Sequence, residues 1–236
     1  MNHKLKVLGI IPARAGSKGI PYKNTRILAG NPLIHYTIQS ALKSRLLTAI
    51  LVSSDCEEVI RISQQYPGIE TPFKRPIEIS GDHNPSIQVL KHAVTFYQQL
   101  GKTFDFVCLL QPTSPFRKDD LIDKTILKLI ESEGDSLATV RKVPDQYNPH
   151  WTFKLANSFL SVSTGDESII SRRQDLPDTW HRDGKIYITT PKLIMEGKIL
   201  GEKLVGFEND EEPNVNIDTL EDWELAENLF RNGFIF

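Results

Sequence analysis

Apolar runs that read as strands buried on both faces alternate along this chain with amphipathic helical segments, and that alternation decides the fold class before any motif is considered. The first run, Leu5 to Ile11, stops at Pro12. Asn31-Pro32 then offers an N-cap followed by proline at the first helical position, and Leu33, Ile34, Ile38, Ala41 and Leu42 keep helical spacing. Ala49 to Ser53 reads as a second strand, with Asp55 and Glu58 predicting a capping box for a helix to about Tyr66. Asn84-Pro85 opens another helix, Phe104 to Leu110 is a strand, Asp119 to Glu131 a helix, and Ser136 to Arg141 a further strand. The expected architecture is α/β, a Rossmann-like doubly wound and mostly parallel sheet.

The pattern becomes irregular between Lys142 and Thr190, with short aromatic segments such as Trp151-Thr152-Phe153 and a polar stretch from Ser171 to Gly184. We read 142–190 as an inserted lobe or subunit contact within one domain spanning 1–236. Order returns with Lys185 to Thr189 as a strand, and Thr219 with Asp222 caps a terminal helix carrying Leu220, Trp223, Ala226 and Leu229.

Composition narrows the partners. A hydrophobic share of 39% and a charged share of 25% lie in the ordinary globular range, against disorder or a fibrous chain. The net charge is −2 and no block of like charges reaches five, so neither a nucleic-acid groove nor a polybasic membrane patch is expected. Cys56 and Cys108 are far apart, the second inside an apolar run, which points to reduced thiols. Val7 to Ile11 is too short for a signal core or a membrane span, and a cytoplasmic enzyme is expected.

The segment with most chemistry is Ile11-Pro12-Ala13-Arg14-Ala15-Gly16-Ser17-Lys18-Gly19-Ile20-Pro21-Tyr22-Lys23-Asn24, directly after the first strand. Gly16 and Gly19 let backbone N–H groups approach an anion, while Arg14, Lys18 and Lys23 bring positive charge. The glycine spacing fits neither GxxxxGK[ST] nor GxGxxG, which weakens ATPase and dehydrogenase readings. By spacing alone the same residues also describe a basic surface turn.

This loop closely resembles the signature of the CMP-sugar synthetases, specifically the N-acylneuraminate cytidylyltransferases. The likeness recurs in order through Phe73-Lys74-Arg75-Pro76, Asp82 to Ser86, Leu109 to Arg117 (Leu-Leu-Gln-Pro-Thr-Ser-Pro-Phe-Arg), Arg173 to Pro177, Asp183 to Ile188 and Asn216 to Thr219. It implies a fold of the nucleotide-diphospho-sugar transferase type, and CTP and an acidic nine-carbon sugar as ligands. Arg14 and Lys23 would hold the triphosphate, with the backbone of Ala13, Ala15, Gly16 and Ser17 around it. Asn24, Arg75 and Ser86 would recognise the cytidine moiety, and Gln111, Arg173 and Tyr187 the sugar, Arg173 reaching into a partner subunit's site. Asp218 would coordinate Mg²⁺ beside the triphosphate.

Each assignment has a structural alternative. Arg75 also suits a surface ion pair, Gln111 to Pro115 a strand terminator, Tyr187 a half-buried strand aromatic, and Asp218 a helix cap. The chain departs from the family pattern at Asn216, where a second aspartate is common, at Trp151, where some relatives carry a sugar-binding lysine, and at Leu200-Gly201, where some carry a phenylalanine pair. The resemblance also implies a homodimer in which each 142–190 lobe approaches the other subunit's site. The expected reaction is attack of a sialic acid's anomeric hydroxyl on the α-phosphorus of CTP, with legionaminic or pseudaminic acid, more remotely Kdo, as rival acceptors. A catalytically silent CTP-binding protein is the rival of another class.

Overall fold

The computed structural model describes residues 4–17 and 19–234. Lys18, expected among the loop cations, lies outside the described residues. In chain order the elements are β1 (Val7–Pro12), a short ribbon of β2 (Ile27–Leu28) and β3 (Asn31–Pro32), α1 (Leu33–Lys43), β4 (Leu47–Ser53), α2 (Glu57–Ser63), β5 (Ile69–Glu70), α3 (Ser86–Gln99), β6 (Phe106–Leu110), α4 (Leu121–Glu131), β7 (Ser136–Lys142), a hairpin of β8 (Phe153–Ala156) and β9 (Phe159–Val162), β10 (Trp180–Thr189), α5 (Pro191–Met195), β11 (Leu204–Glu208) and α6 (Leu220–Arg231).

Seven strands form one sheet in the order β11-β7-β10-β6-β1-β4-β5. Its pairings are parallel except those of β10, which runs antiparallel to both β6 and β7. The doubly wound, mostly parallel α/β sheet expected from the alternation is therefore present. Strand residues alternate between two cores because successive side chains face opposite sides. Val7, Ile11, Ile50, Val52, Cys108 and Leu110 pack under α1, α2 and α4. Leu8, Ile10, Leu51, Val107 and Leu109 pack under α3 and Ile194 of α5. Burial pushes the Cys108 thiol up to about 12, so it stays protonated and serves packing.

A third apolar cluster ties the far end of the chain to the first loop: Ile20, Leu28 and Leu33 pack with Phe116, Val215, Ile217, Trp223 and Ala226. The Thr219 hydroxyl accepts from the Asp222 N–H and the Asp222 carboxylate accepts from the Thr219 N–H, the capping box expected for α6.

Several expected boundaries differ. Asn31 and Pro32 belong to the ribbon with Ile27 and Leu28, so α1 starts at Leu33 with Pro32 as its cap. Asp55 does not cap α2; Cys56 holds that position without a side-chain bond, and Glu58 bonds Arg61 instead. Within 142–190 lie the β8–β9 hairpin and a ten-residue β10 that begins at Trp180, well before Lys185. Asp183-Gly184 is the irregularity inside β10 where its register on β7 shifts; Gly184 sits there at φ +80°, where a side chain would be strained. No helix among the described residues is long and apolar enough to cross a membrane.

Candidate functional site

The chain winds β1 to β4 and β5 in one direction, then crosses back over β1 to reach β6. Open α/β sheets bind ligands where such a reversal leaves the C-terminal strand ends unbridged. A cavity of about 200 Å³ lies here, lined by Arg14, Gly16 and Ser17 after β1, Lys23 and Asn24 further along the same loop, Arg75, Asn84 and Ser86 around the start of α3, Gln111 to Thr113 after β6, and Asp218 before α6.

The first loop is built to present its cations. The Ala13 N–H donates to the Ser53 carbonyl at 2.9 Å, prolonging the β1–β4 ladder by one residue, and Ala13 itself is buried. The Ala15 N–H donates to Asp55 Oδ1 at 2.9 Å. Asn24 donates from Nδ2 to the Arg14 carbonyl at 3.0 Å, pinning the loop across its width. Gly19 meets the terminal segment: a Cβ there would stand 2.0 Å from the Asp218 carbonyl oxygen, so only glycine allows this approach.

Each cation already has a carboxylate neighbour. Arg14 Nη1 pairs with Asp82. Lys23 Nζ donates to the Ile217 carbonyl at 2.7 Å and to Asp218 Oδ1 at 2.9 Å. Arg75, 5% exposed, stands 3.7 Å from Asp55, too far for a hydrogen bond, and its Nε and Nη2 are buried with no hydrogen-bond partner among the described residues. Burial pulls the Arg75 guanidinium below its ordinary value; Asp55 opposes that shift and Arg14 adds to it. A buried guanidinium with idle donors at a cavity wall is a ready donor site for a ligand's hydrogen-bond acceptors.

Gln111 follows β6. Its carbonyl accepts from Arg117 Nη2 at 3.2 Å and from the Ser114 N–H at 3.3 Å, and its own N–H donates to the Lys185 carbonyl at 3.4 Å, which fixes the backbone and leaves the side chain to line the cavity.

The remaining expected sugar residues do not reach this cavity within one chain. Tyr187 is half-buried against the α3 core with the Arg182 guanidinium 6.0 Å from its ring centre, and burial raises its hydroxyl's pKa. Arg173 stands in a one-turn helix of the lobe, 78% exposed at the side chain, paired with Asp145. Ala13 and Ala15 stand behind the lining. Asp55, Asp82, Asn84 and Thr113 were given no site role from sequence; the adjacency of Asp55 to the end of β4 was the available signal for the first of them.

The donors available to a divalent cation are the Asp218 carboxylate, 61% exposed, and the Asn216 amide, whose Nδ2 donates to Asp218 Oδ2 at 3.0 Å. Among the described residues no group of three or more His, Cys, Asp or Glu side chains could hold a metal by itself. Such a hard oxygen set suits Mg²⁺ that arrives coordinated by phosphate oxygens and water, not a resident cage.

Comparison with known proteins identifies the family. Residues 8–212 match the cytidylyltransferase family model. The chain is 34% identical over 230 residues to CMP-N,N'-diacetyllegionaminic acid synthase of Legionella pneumophila, covering 95% of this chain and 96% of that one. It is 32% identical over 228 residues to pseudaminic acid cytidylyltransferase of Campylobacter jejuni, with 96% and 97% covered. Identity to N-acylneuraminate cytidylyltransferase of Escherichia coli is 30% over 224 residues, 94% of this chain but 52% of that protein. In fold it is similar to CMP:2-keto-3-deoxy-manno-octonic acid synthetase complexed with CTP, with TM-score 0.71, 18% identity, and 96% and 99% of the two chains covered. With Arg14 and Lys23 gathered beyond the C-terminal end of β1, a family model matched over residues 8–212, and two relatives alike over nearly their whole length, this chain belongs to the cytidylyltransferase family.

Proposed function

We propose that the protein activates a nonulosonic acid, transferring CMP from CTP to the sugar's anomeric hydroxyl with release of pyrophosphate. The observation that carries this reading is the convergence of Arg14, Lys23, Arg75, Gln111 and Asp218 on one cavity. Within the class, N,N'-diacetyllegionaminic or pseudaminic acid stands ahead of N-acylneuraminic acid, because relatives named for the first two match this chain at 34% and 32% identity over 96% and 97% of their length.

In this reading the anomeric oxygen forms a bond to the α-phosphorus as the α-phosphorus–bridging-oxygen bond breaks, the pyrophosphate keeps the electron pair, and the hydroxyl proton passes to solvent. Arg14 and Lys23 take the phosphate charge, Gly16 and Ser17 offer backbone N–H groups, and Arg75 spends its idle donors on the cytidine with Asn24 and Ser86. Gln111 belongs to the sugar side. Magnesium, when bound at Asp218 with the triphosphate, supplies charge neutralisation at the phosphates. Arg14, Lys23 and Asp218 are the residues assigned to the reacting end; no covalent intermediate is needed.

We assign a homodimer as the working assembly. Leu155, Phe159 and Leu160 of the β8–β9 hairpin are 72%, 79% and 63% exposed, and Trp180 at the start of β10 is 48% exposed, apolar surface that a single chain leaves uncovered. A partner seated there would bring Arg173 towards the neighbouring cavity. Sedimentation of Phe159→Asp tests this: a dimer that becomes a monomer supports it, and a wild-type monomer at micromolar concentration sinks it.

The reaction is tested by pyrophosphate release with CTP and Mg²⁺ over legionaminic, pseudaminic, N-acetylneuraminic and Kdo acids, with mass spectrometry of the product. A CMP-sugar from one acid establishes reaction and acceptor together. CTP binding without release on any acid would favour the silent binding protein.

A further inference from the structure

A buried charged cluster stands directly behind the cavity and has no part in the chemistry assigned above. Lys185 and Glu212 form an ion pair with side chains 1% and 0% exposed. Arg117, equally buried, donates from Nη2 to the Gln111 carbonyl at 3.2 Å and the Lys185 carbonyl at 3.1 Å, and from Nη1 to Thr37 Oγ1 at 3.4 Å. Glu212 Oε1 accepts from the Lys118 N–H at 2.7 Å, and the Glu212 carbonyl accepts from Arg141 Nη1 at 2.6 Å. Asp183 accepts from Thr139 Oγ1, from the Lys185 N–H at 3.0 Å and from Asn209 Nδ2 at 2.9 Å.

Stability alone is a poor reason for such a cluster. Well-packed apolar residues commonly replace a buried ion pair without loss, because desolvation offsets the Coulomb gain. What the cluster does supply is connection. It joins the residue that follows β6, the irregular middle of β10, β7 through Thr139 and Arg141, and the segment at Glu212. From Glu212 the chain runs to Ile217, whose N–H donates to the Thr113 carbonyl at 2.7 Å, and to Asp218. Gln111 and Asp218, which line the same cavity, are thus both referenced to Glu212.

We propose that Arg117, Lys185 and Glu212 are positioning residues for CMP transfer: Glu212 holds Lys185 and the Lys118 amide, Arg117 bridges the Gln111 and Lys185 carbonyls, and together they fix Gln111 and Asp218 relative to each other. The inference rests on the reading of the cavity as the transfer site. A lysine in place of Arg117 keeps the charge but not the planar fork that spans two carbonyls.

The test compares Glu212→Gln, Arg117→Lys and the apolar pair Lys185→Met with Glu212→Leu. For each, kcat, sugar KM, CTP Kd by calorimetry, Tm and amide exchange at Gln111 and Ile217 are measured. Positioning predicts that both single variants lose kcat on the order of ten- to a hundred-fold and raise the sugar KM. Their CTP Kd stays within about two-fold, since Arg14, Lys23 and Arg75 are untouched. The apolar pair regains Tm without regaining kcat. Recovery of both Tm and kcat in the apolar pair, or single variants whose kcat per folded molecule is unchanged, would overturn the proposal. Should a single variant fail to fold, kcat of the apolar pair decides alone. If the wild type transfers CMP to no acid, the function fails while the cluster is still judged: faster exchange at both Gln111 and Ile217 in Glu212→Gln supports it, and unchanged exchange rejects it.

Discussion

Lys23 and Asp218 are 195 positions apart in sequence, yet the lysine ammonium donates to the aspartate carboxylate at 2.9 Å and, from the same nitrogen, to the neighbouring Ile217 carbonyl at 2.7 Å. The lysine side chain is 11% exposed and the carboxylate 61%. The inner group is a cation held at the cavity wall, and the outer one is a carboxylate open to whatever enters. Without ligand they neutralise each other; a nucleotide's phosphates would give Lys23 a second anion.

Asp218→Asn removes one negative charge from that wall. CTP affinity without magnesium is expected to hold or tighten, while the magnesium concentration for half-maximal turnover rises. A titration of turnover against magnesium that superimposes on the wild type would remove Asp218 from metal binding.

Arg14 meets Asp82, with side chains 33% and 30% exposed. A phosphate must displace or share that contact. Asp82→Asn should therefore tighten CTP binding by roughly two- to five-fold, the scale of one partly exposed ion pair. Arg14→Ala should lower turnover on the order of a hundred-fold or more with little change in Tm. Weaker CTP binding by Asp82→Asn, read by calorimetry, would show that Asp82 belongs to the nucleotide site instead of competing with it.

Two glycines of the first loop should answer differently to alanine. A Cβ at Gly16 meets nothing within 4 Å, so Gly16→Ala should keep its Tm. A Cβ at Gly19 would stand 2.0 Å from the Asp218 carbonyl oxygen, a backbone atom that cannot step aside by rotating a side chain. Gly19→Ala should destabilise by about 1–3 kcal/mol and weaken CTP binding as the loop and the Asp218 segment separate. Thermal melts and calorimetry on the pair decide it.

Asp222 gives the chain an acid-sensitive cap. Burial alone would raise its pKa, but the N–H groups of Asp218 and Thr219 and the Thr219 hydroxyl outweigh that and hold it below its ordinary 3.8. A depressed folded pKa means the cap's contribution is fully present above about pH 4 and is lost as pH falls through the folded value. Urea unfolding from pH 7 down to pH 2 should show a shallower acid decline in Asp222→Ala, with a loss near neutral pH of about 1 kcal/mol. Parallel declines would mean the cap carries no pH-linked stability.

The alternation of apolar runs and amphipathic helices was readable because burial on both faces demands continuous apolar strands and helix packing demands a 3.6-residue period; both are local properties. The Thr219–Asp222 box was readable for the same reason, since its partners are three residues apart. The site roles of Arg14, Lys23, Arg75, Ser86, Gln111 and Asp218 were legible only through their likeness to a family; charge and spacing left Arg14, Lys23 and Arg75 open to a surface reading, Gln111 to that of a strand terminator and Asp218 to that of a helix cap. The direction of β10, the bulge at Gly184 and the strand β11 were not legible, because pairing partners distant in sequence leave no mark on a strand's own residues. Asp55 shows the limit most plainly: its spacing to Glu58 read as a cap, whereas the fold turns it to Ala15 and Arg75. Sequence determined the alternating strands and helices of the sheet up to β7, the terminal helix, and which loop carries the cations. Only the tertiary structure decided which carboxylate faces each cation, because those partners are joined by the crossing of the sheet and not by the chain.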